Sequence, residues 1–341
     1  MPARVSGSVK WAALMLTAAA AWSQEPQFRT RAREVVVPVS VLTKSGKPVE
    51  GLSANDFLVL SDGKPQVSQM ISRDSDALPV YAVLVLQTSD FSDAALQKIK
   101  KTAAVVSSYI TNDMGTGAPS QAAVVTASND VRVVQGFTAD PNILGDVFAR
   151  ISGNGDSGRI LDGVSLACDL LAHTGESARR VVVLISESRD RGSKTHFADV
   201  TEKAQKENVV IYTLSYSAYA TAFTQKPSDQ QPQPGAPGAY DPNAQGGIPL
   251  LALGMELARL AKVNVSQALA EATGGAHEKF TTLRGLEAQL SAAGTEIHNR
   301  YTLTFVPTDP QAPGYHRLSV SIQRHGDWRV HARQGYWADT E

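Results

Sequence analysis

The sequence predicts an α/β protein: a doubly wound, mostly parallel sheet, joined to a second, smaller β-sandwich-like domain made from N- and C-terminal strands. Three observations predict it. Short, almost wholly apolar runs recur at Val80–Leu86, Val181–Ile185 and Val209–Leu214, as expected of strands buried on both faces. Amphipathic segments of helical period fill the gaps between them. Both flanking zones instead show the period-2 alternation of half-buried strands.

In the first zone Val35, Val37, Val39 and Val41 alternate with other residues, and Ser45-Gly46-Lys47 supplies a turn. Phe57–Leu60 and Val67–Ile71 flank Asp62-Gly63, which reads as a hairpin. In the central zone Ala122–Ala127 is a fourth strand candidate. Val131–Val134, behind Ser128-Asn129-Asp130, suits an edge strand turned back by a hairpin. Leu96, Ile99, Ala103, Val106 and Ile110 form one helical stripe behind the cap Ser92; Ile160, Val164, Ala167 and Leu171 form a second. Leu283, Leu286, Leu290, Ala293 and Ile297 form a third, and Asn264 caps a short helix ending at Gly274-Gly275. The closing zone returns to β at Tyr301–Phe305, Leu318–Ile322 and Trp328–Ala332. Each flanking zone offers about three strands, too few to stand alone, so the two are expected to pack together around the central domain.

The domain reading is therefore a signal peptide at 1–23, β segments at 34–75 and 299–341, and an α/β domain at 78–298. Arg4 and Lys10 precede an apolar stretch from Trp11 to Trp22 that ends in Ala21-Trp22-Ser23, the small-residue pattern of a cleavage site. As a helix that stretch spans about 18 Å, short of the roughly 30 Å of a bilayer core. Export to a periplasm or the cell exterior, with cleavage near Ser23 and no membrane insertion afterwards, is the expectation. The segment 225–247, rich in Gln, Pro and Gly, has no Val, Ile, Leu or Met and is expected to be a disordered insertion.

Composition narrows the function. Of 341 residues, 43% are hydrophobic, enough for a sizeable core, and 32 basic residues against 33 acidic ones give a net charge of −1. Loss of Arg4 and Lys10 with the signal takes it to −3. No basic block marks a nucleic-acid surface. Cys168 is the single cysteine, so no internal disulfide can form, and its apolar neighbours predict a buried thiol. Gly163-Val164-Ser165 lies inside a helical stripe and not at the strand-to-helix turn that a nucleophile elbow needs. The loop 153–158 lacks a phosphate-loop Gly-Lys-Ser/Thr. No pair of histidines has metal-site spacing, and His173 and His298 read as solvated or helix-terminal.

In an open parallel sheet, ligands bind at the carboxyl ends of the strands. Three oxygen-rich loops fall there: Gln87-Thr88-Ser89-Asp90-Phe91-Ser92-Asp93, Gly153-Asn154-Gly155-Asp156-Ser157-Gly158, and Ser186-Glu187-Ser188-Arg189-Asp190. Together with Gly51-Leu52, Asn55-Asp56-Phe57, Asp62-Gly63-Lys64, Ala272-Thr273-Gly274-Gly275 and Arg333-Gln334-Gly335-Tyr336, they make the chain resemble von Willebrand factor A domains. The resemblance is closest to the VWFA-related proteins of acidobacteria. It implies a strand-end site where a D-x-S-x-S motif, a threonine and an aspartate hold a divalent cation.

At this site Gln87 stands where the first aspartate belongs, Ser89 matches, and Phe91 replaces the second serine. Gly158 falls near the threonine position, and Glu187 takes the later aspartate's place. Mg²⁺ takes six oxygens at about 2.0–2.1 Å and favours anionic ligands; Gln87 keeps an oxygen without charge, while Phe91 and Gly158 remove hydroxyls. Gln87, Ser89 and Glu187 are thus the residues of a degenerate metal site, with no cofactor or at most a weakly bound Mg²⁺. Asp90, Ser92, Asp156 and Ser186 are expected on a partner-binding face.

The resulting expectation is an exported, non-enzymatic, adhesion-type protein that binds another protein or envelope macromolecule and no nucleic acid. One alternative is a metal-dependent adhesion module, using Mg²⁺, Mn²⁺ or Ca²⁺, that completes its shell with a partner carboxylate. A hydrolase with an unrecognised centre is a further one.

Overall fold

The computed structural model describes residues 34–72, 78–89, 93–101, 120–175, 178–216, 257, 259–308 and 313–338. Its centre is a six-stranded sheet of order β10-β9-β8-β5-β6-β7, comprising β5 (Val80–Gln87), β6 (Gln121–Ala127), β7 (Val131–Thr138), β8 (Arg179–Ser186), β9 (Val210–Ser215) and β10 (His277–Lys279). All neighbours pair in parallel except β7, which runs antiparallel to β6. That hairpin follows Ser128-Asn129-Asp130 as expected, and β7 extends four residues beyond the predicted Val134.

The apolar runs are apolar because both faces are covered. Along β5 the even residues Val80, Ala82, Leu84 and Leu86 face one layer, which includes Leu96 and Ile99 of α1 (Asp93–Lys101). Leu144 and Phe148 of α2 (Pro141–Arg150) and Leu286, Leu290 and Ile297 of α6 (Leu283–His298) complete that layer. The odd residues Val83 and Val85 face the other, where α3 (Ile160–Ala172) supplies Ile160, Val164, Ala167 and Leu171. There α4 (Phe197–Lys206) supplies Val200 and Ala204, and α5 (Val265–Thr273) supplies Val265 and Leu269. Asn264 caps α5 through its side-chain oxygen, which accepts from the Gln267 N–H. Cys168 is buried in this layer, and burial pushes its thiol up to about 12, which makes it inert.

Strands from the two flanking zones build two four-stranded sheets, β13-β1-β11-β4 and β14-β12-β2-β3. The first zone gives β1 (Val35–Thr43), β2 (Phe57–Ser61), β3 (Lys64–Gln66) and β4 (Ser68–Ser72). The closing zone gives β11 (Tyr301–Phe305), β12 (Gly314–Ile322), β13 (Trp328–Ala332) and β14 (Gly335–Ala338). Val35, Val37, Val39, Val41, Phe57, Val59, Tyr301, Leu303, Phe305 and Leu318 form their shared core. The first sheet lies with its other face against the α/β domain, where His331 Nδ1 meets Glu296 Oε1 at 3.0 Å. Nearby, an Arg333 nitrogen donates to the Gln205 carbonyl at 3.2 Å.

The structure corrects the sequence reading in places. The hairpin at Asp62-Gly63, both of positive φ, joins β2 to Lys64–Gln66 and not to Val67–Ile71. The chain leaves that sheet at Val67, which is 82% exposed, and β4 pairs with β11 in the other sheet. Helices α2 and α4 and strands β10 and β14 were not anticipated. Ala103, Val106, Ile110, the signal segment and the 225–247 insertion lie outside the described residues. Among the described residues no helix is long and apolar enough to cross a membrane.

Gly275 lies between α5 and β10, where a Cβ would run into the backbone of Ile211 and Tyr212 in β9. A backbone contact cannot yield as a side chain does, so Gly275→Ala is expected to lower unfolding stability by about 3 kcal/mol, read from urea denaturation.

Candidate functional site

Three loops meet at the carboxyl ends of β5, β6 and β8. The side chain of Gln87, 1% exposed, crosses from β5 to the loop after β8: its Oε1 accepts from the Glu187 N–H at 2.8 Å. Its Nε2 donates to Ser89 Oγ at 3.2 Å. A Cβ on residue 158 would strike this amide, so the glycine is what admits it. The amide therefore occupies the ground between all three loops, as a neutral hydrogen-bonded tie.

Glu187 carries the site's buried carboxylate, its side chain 9% exposed. Its Oε2 lies 3.1 Å from a guanidinium nitrogen of Arg191, whose side chain is 42% exposed. Arg191 is held over the site by its backbone, because its N–H and carbonyl exchange two hydrogen bonds of 3.0 Å with Gly158. A guanidinium thus supplies the positive charge that neutralises this acid.

Two further carboxylates fasten the loop after β8 to the start of α3. Asp162 accepts from the Thr195 hydroxyl at 2.6 Å, the Thr195 N–H at 2.8 Å, the Lys194 N–H at 3.0 Å and Arg159 Nε at 2.7 Å. Asp190 accepts from the Leu161 N–H at 3.0 Å and from the Ser193 hydroxyl at 2.6 Å. On the third side the Asn154 N–H donates to the Thr88 carbonyl at 2.7 Å, and the Ser157 N–H to Asn129 Oδ1 at 3.0 Å. These bonds hold the face in one arrangement.

The fold brings Gln87, Ser89 and Glu187 together. Asp156 sits exposed on the adjoining loop. Ser186, expected on the partner-binding face, is fully buried: its hydroxyl donates to the Glu187 carbonyl at 2.8 Å and lies 3.1 Å from Ser266 Oγ. It therefore shapes the loop from within. Asp90, Phe91 and Ser92 lie outside the described residues. Sequence reasoning placed Asp190 in an oxygen-rich strand-end loop and Asn129 in a turn without giving either a role, and it missed Arg191 and Asp162; the acid in the first turn of α3 is a signal that pointed to Asp162.

The described residues of this face do not suit a divalent cation. Both polar atoms of Gln87 are engaged with protein groups, Gly158 has no donor, and the Glu187 carboxylate is ion-paired. Among the described residues no three His, Cys, Asp or Glu side chains converge as metal ligands. Ser165 lies within α3, where its hydroxyl accepts from Lys203 at 2.9 Å, and not at a strand-to-helix turn.

The class that the sheet topology defines is an α/β protein with a mostly parallel six-stranded sheet covered by helices on both faces. No protein-family model and no curated protein matches the sequence. Among solved structures it is similar to a von Willebrand factor type A protein from Catenulispora acidiphila, at 11% identity over 91% of this chain and 75% of that one, TM-score 0.46. It is similar to BatB from Bacteroides thetaiotaomicron at 13% identity over 64% of this chain and 98% of that one, TM-score 0.44. A third is proximal thread matrix protein 1 of the mussel byssus, in a structure with a zinc-occupied MIDAS motif, at 14% identity over 70% of this chain and 50% of that one, TM-score 0.45. At such identities and scores the likeness concerns fold and says nothing of ligand, partner or activity.

Burial opposes ionisation of Asp162, yet the bonds from Thr195, Lys194 and Arg159 outweigh it and bring the carboxyl down to about 2. A carboxyl depressed in the folded state stabilises above its unfolded value of about 3.9, and that contribution fades as pH falls towards 2. Asp162→Asn is expected to cost about 2 kcal/mol at neutral pH and to flatten the stability profile between about pH 4 and 2, measured by urea titration across pH.

Proposed function

We propose that this is an exported, non-enzymatic binding protein. Its strand-end face engages another protein or envelope macromolecule without a tightly bound metal. The observation that carries the reading is the Gln87 amide, which ties Ser89 to the Glu187 backbone across the ground that a cation would share. Arg191 supports it further, since the buried Glu187 carboxylate already has a covalently tethered cation beside it. The fastening of the loops by Asp162 and Asp190 gives a preformed surface, which lowers the ordering cost of association. Asp156, Arg189 and Arg191 are its exposed charges. Export rests on the N-terminal signal pattern, with the mature chain periplasmic or secreted.

Calorimetric titration of the purified chain with Mg²⁺, Mn²⁺ and Ca²⁺ is expected to give no binding at millimolar concentrations. Millimolar binding that Glu187→Ala abolishes would overturn the metal-free reading in favour of a metal-dependent adhesion module. Partner capture from envelope extracts is expected to fall at least tenfold when Asp156→Arg and Arg189→Glu are combined. Unchanged recovery by a folded variant would move the binding surface elsewhere.

A further inference from the structure

The loop between α2 and α3 carries Gly153-Asn154-Gly155, and this is the chain's one Asn-Gly pair. A glycine after an asparagine leaves its backbone nitrogen unshielded by any side chain, so that nitrogen can reach the asparagine's own side-chain carbonyl carbon. The attack closes a five-membered ring, and such intramolecular reactions gain most from proximity.

The fold keeps the reactive neighbour in place. Gly155 has φ +78°, a conformation that favours glycine, and a Cβ there would strike the Asn129 side-chain amide. That amide is in use, since Asn129 Oδ1 accepts from the Ser157 N–H at 3.0 Å. Asn154 is exposed, and its side-chain amide makes no hydrogen bond with any described residue. The Gly155 N–H is likewise unengaged among the described residues, while the Asn154 N–H is pinned to the Thr88 carbonyl at 2.7 Å.

The two Asp-Gly pairs, which share this chemistry in a slower form, make the contrast. Asp62 is held by His316 Nδ1 at 2.7 Å and by the Arg317 N–H at 2.9 Å. Asp162 is fixed by its bonds from Thr195, Lys194 and Arg159, and the Gly163 N–H is committed to the Arg159 carbonyl at 3.0 Å. Neither carboxyl is free to fold back on the next nitrogen.

We infer that Asn154 is a self-acting modification site, whose conversion to aspartate or isoaspartate adds a negative charge to the strand-end face. The Gly155 nitrogen bonds to Asn154 Cγ; the Cγ–Nδ2 bond breaks, and ammonia leaves with the proton of the Gly155 N–H. Water then opens the cyclic imide. Cleavage at Cγ gives aspartate with the original main chain, and cleavage at the backbone carbonyl carbon gives isoaspartate, whose main chain runs through Cβ and Cγ. Either product places a carboxylate two residues from the exposed Asp156. Isoaspartate also lengthens the loop backbone by one methylene between its anchors on Thr88 and Asn129. The face on which Arg189 and Arg191 are exposed thus loses positive charge as the protein ages. What that does to partner capture rests on the proposed function; the modification itself does not.

The test is incubation of the purified full chain at neutral pH and physiological temperature, beside a short peptide spanning 150–159, with peptide mapping by mass spectrometry. The segment bearing residue 154 is expected to gain about 1 Da, the difference between an amide and an acid, and an isoaspartyl methyltransferase is expected to label it. Conversion in the folded chain is expected within about tenfold of the peptide's rate, since exposed loop backbone can still rotate, and ahead of every other asparagine. Asn154→Gln, which enlarges the ring to six atoms at an exposed position, is expected to slow the conversion by about tenfold or more. An amide retained in the folded chain while the peptide converts, or an equal mass gain in Asn154→Gln, would overturn the inference.

Discussion

The pairing of Val35–Val39 with Tyr301–Phe305 is the constraint on which the rest of the structure depends. It joins two strands with the whole α/β domain between them. The entropy of closing so long a loop rises only logarithmically with its length, so a few well-buried residues suffice to offset the extra length. Val37, Val39, Tyr301 and Leu303 are all fully buried and supply that contact. Tyr301 adds a polar anchor: its hydroxyl donates to the Val49 carbonyl at 2.8 Å and accepts from the Leu52 N–H at 3.2 Å. With β1 seated, β11 and β13 flank it on either side, and the polar face of that sheet is presented to β9 and α6.

The consequence is a division of labour between the two ends of the central sheet. One layer of contacts, through Arg179, Glu296, Arg300 and Arg333, is covered by the sandwich and is buried. The carboxyl ends of β5 and β8 carry the loops with Gln87, Ser89 and Glu187, and the exposed Asp156, Arg189 and Arg191 rim them. At this second end the N–H groups of Thr195, Leu161 and Ser157 are satisfied by the fixed side chains of Asp162, Asp190 and Asn129. The sheet acts as the rigid base and the interlocked loops as the surface that chemistry or binding can use.

Much of this was legible in the sequence, for physical reasons that differ from element to element. A strand buried on both faces must be apolar throughout, so Val80–Leu86 and Val181–Ile185 declare themselves without reference to any neighbour. The amphipathic stripe from Ile160 to Leu171 is equally local. Val67–Ile71 misled because an apolar run does not say which sheet it joins; only the exposed Val67 between β3 and β4 reveals the change of partner. At the site, Gln87, Ser89 and Glu187 could be placed because strand ends fix them. Arg191 could not, since a loop has no period that tells which side chain will turn back on Glu187. The burial of Arg300 likewise has no local signal, since it follows from packing against Tyr212, far away in the chain.

On the proposed reading, fixed side chains stand where a cation would, and that alters what kind of device the strand-end face is. A metal-held site binds according to the free ion concentration and can be emptied, so its occupancy is a signal. A guanidinium on the chain, with its backbone paired to Gly158, is always present and always charged. The amide of Gln87 adds geometry without charge and cannot exchange with solvent ions. On the proposed reading the face is therefore constitutive: its affinity responds to ionic strength through exposed charges such as Arg189 and Arg191, and not to divalent-ion supply. On the same reading, an acid longer by one methylene than the expected aspartate can be accommodated at position 187. A carboxylate that meets a flexible guanidinium need not satisfy the near-octahedral geometry Mg²⁺ demands, only the looser reach of an ion pair.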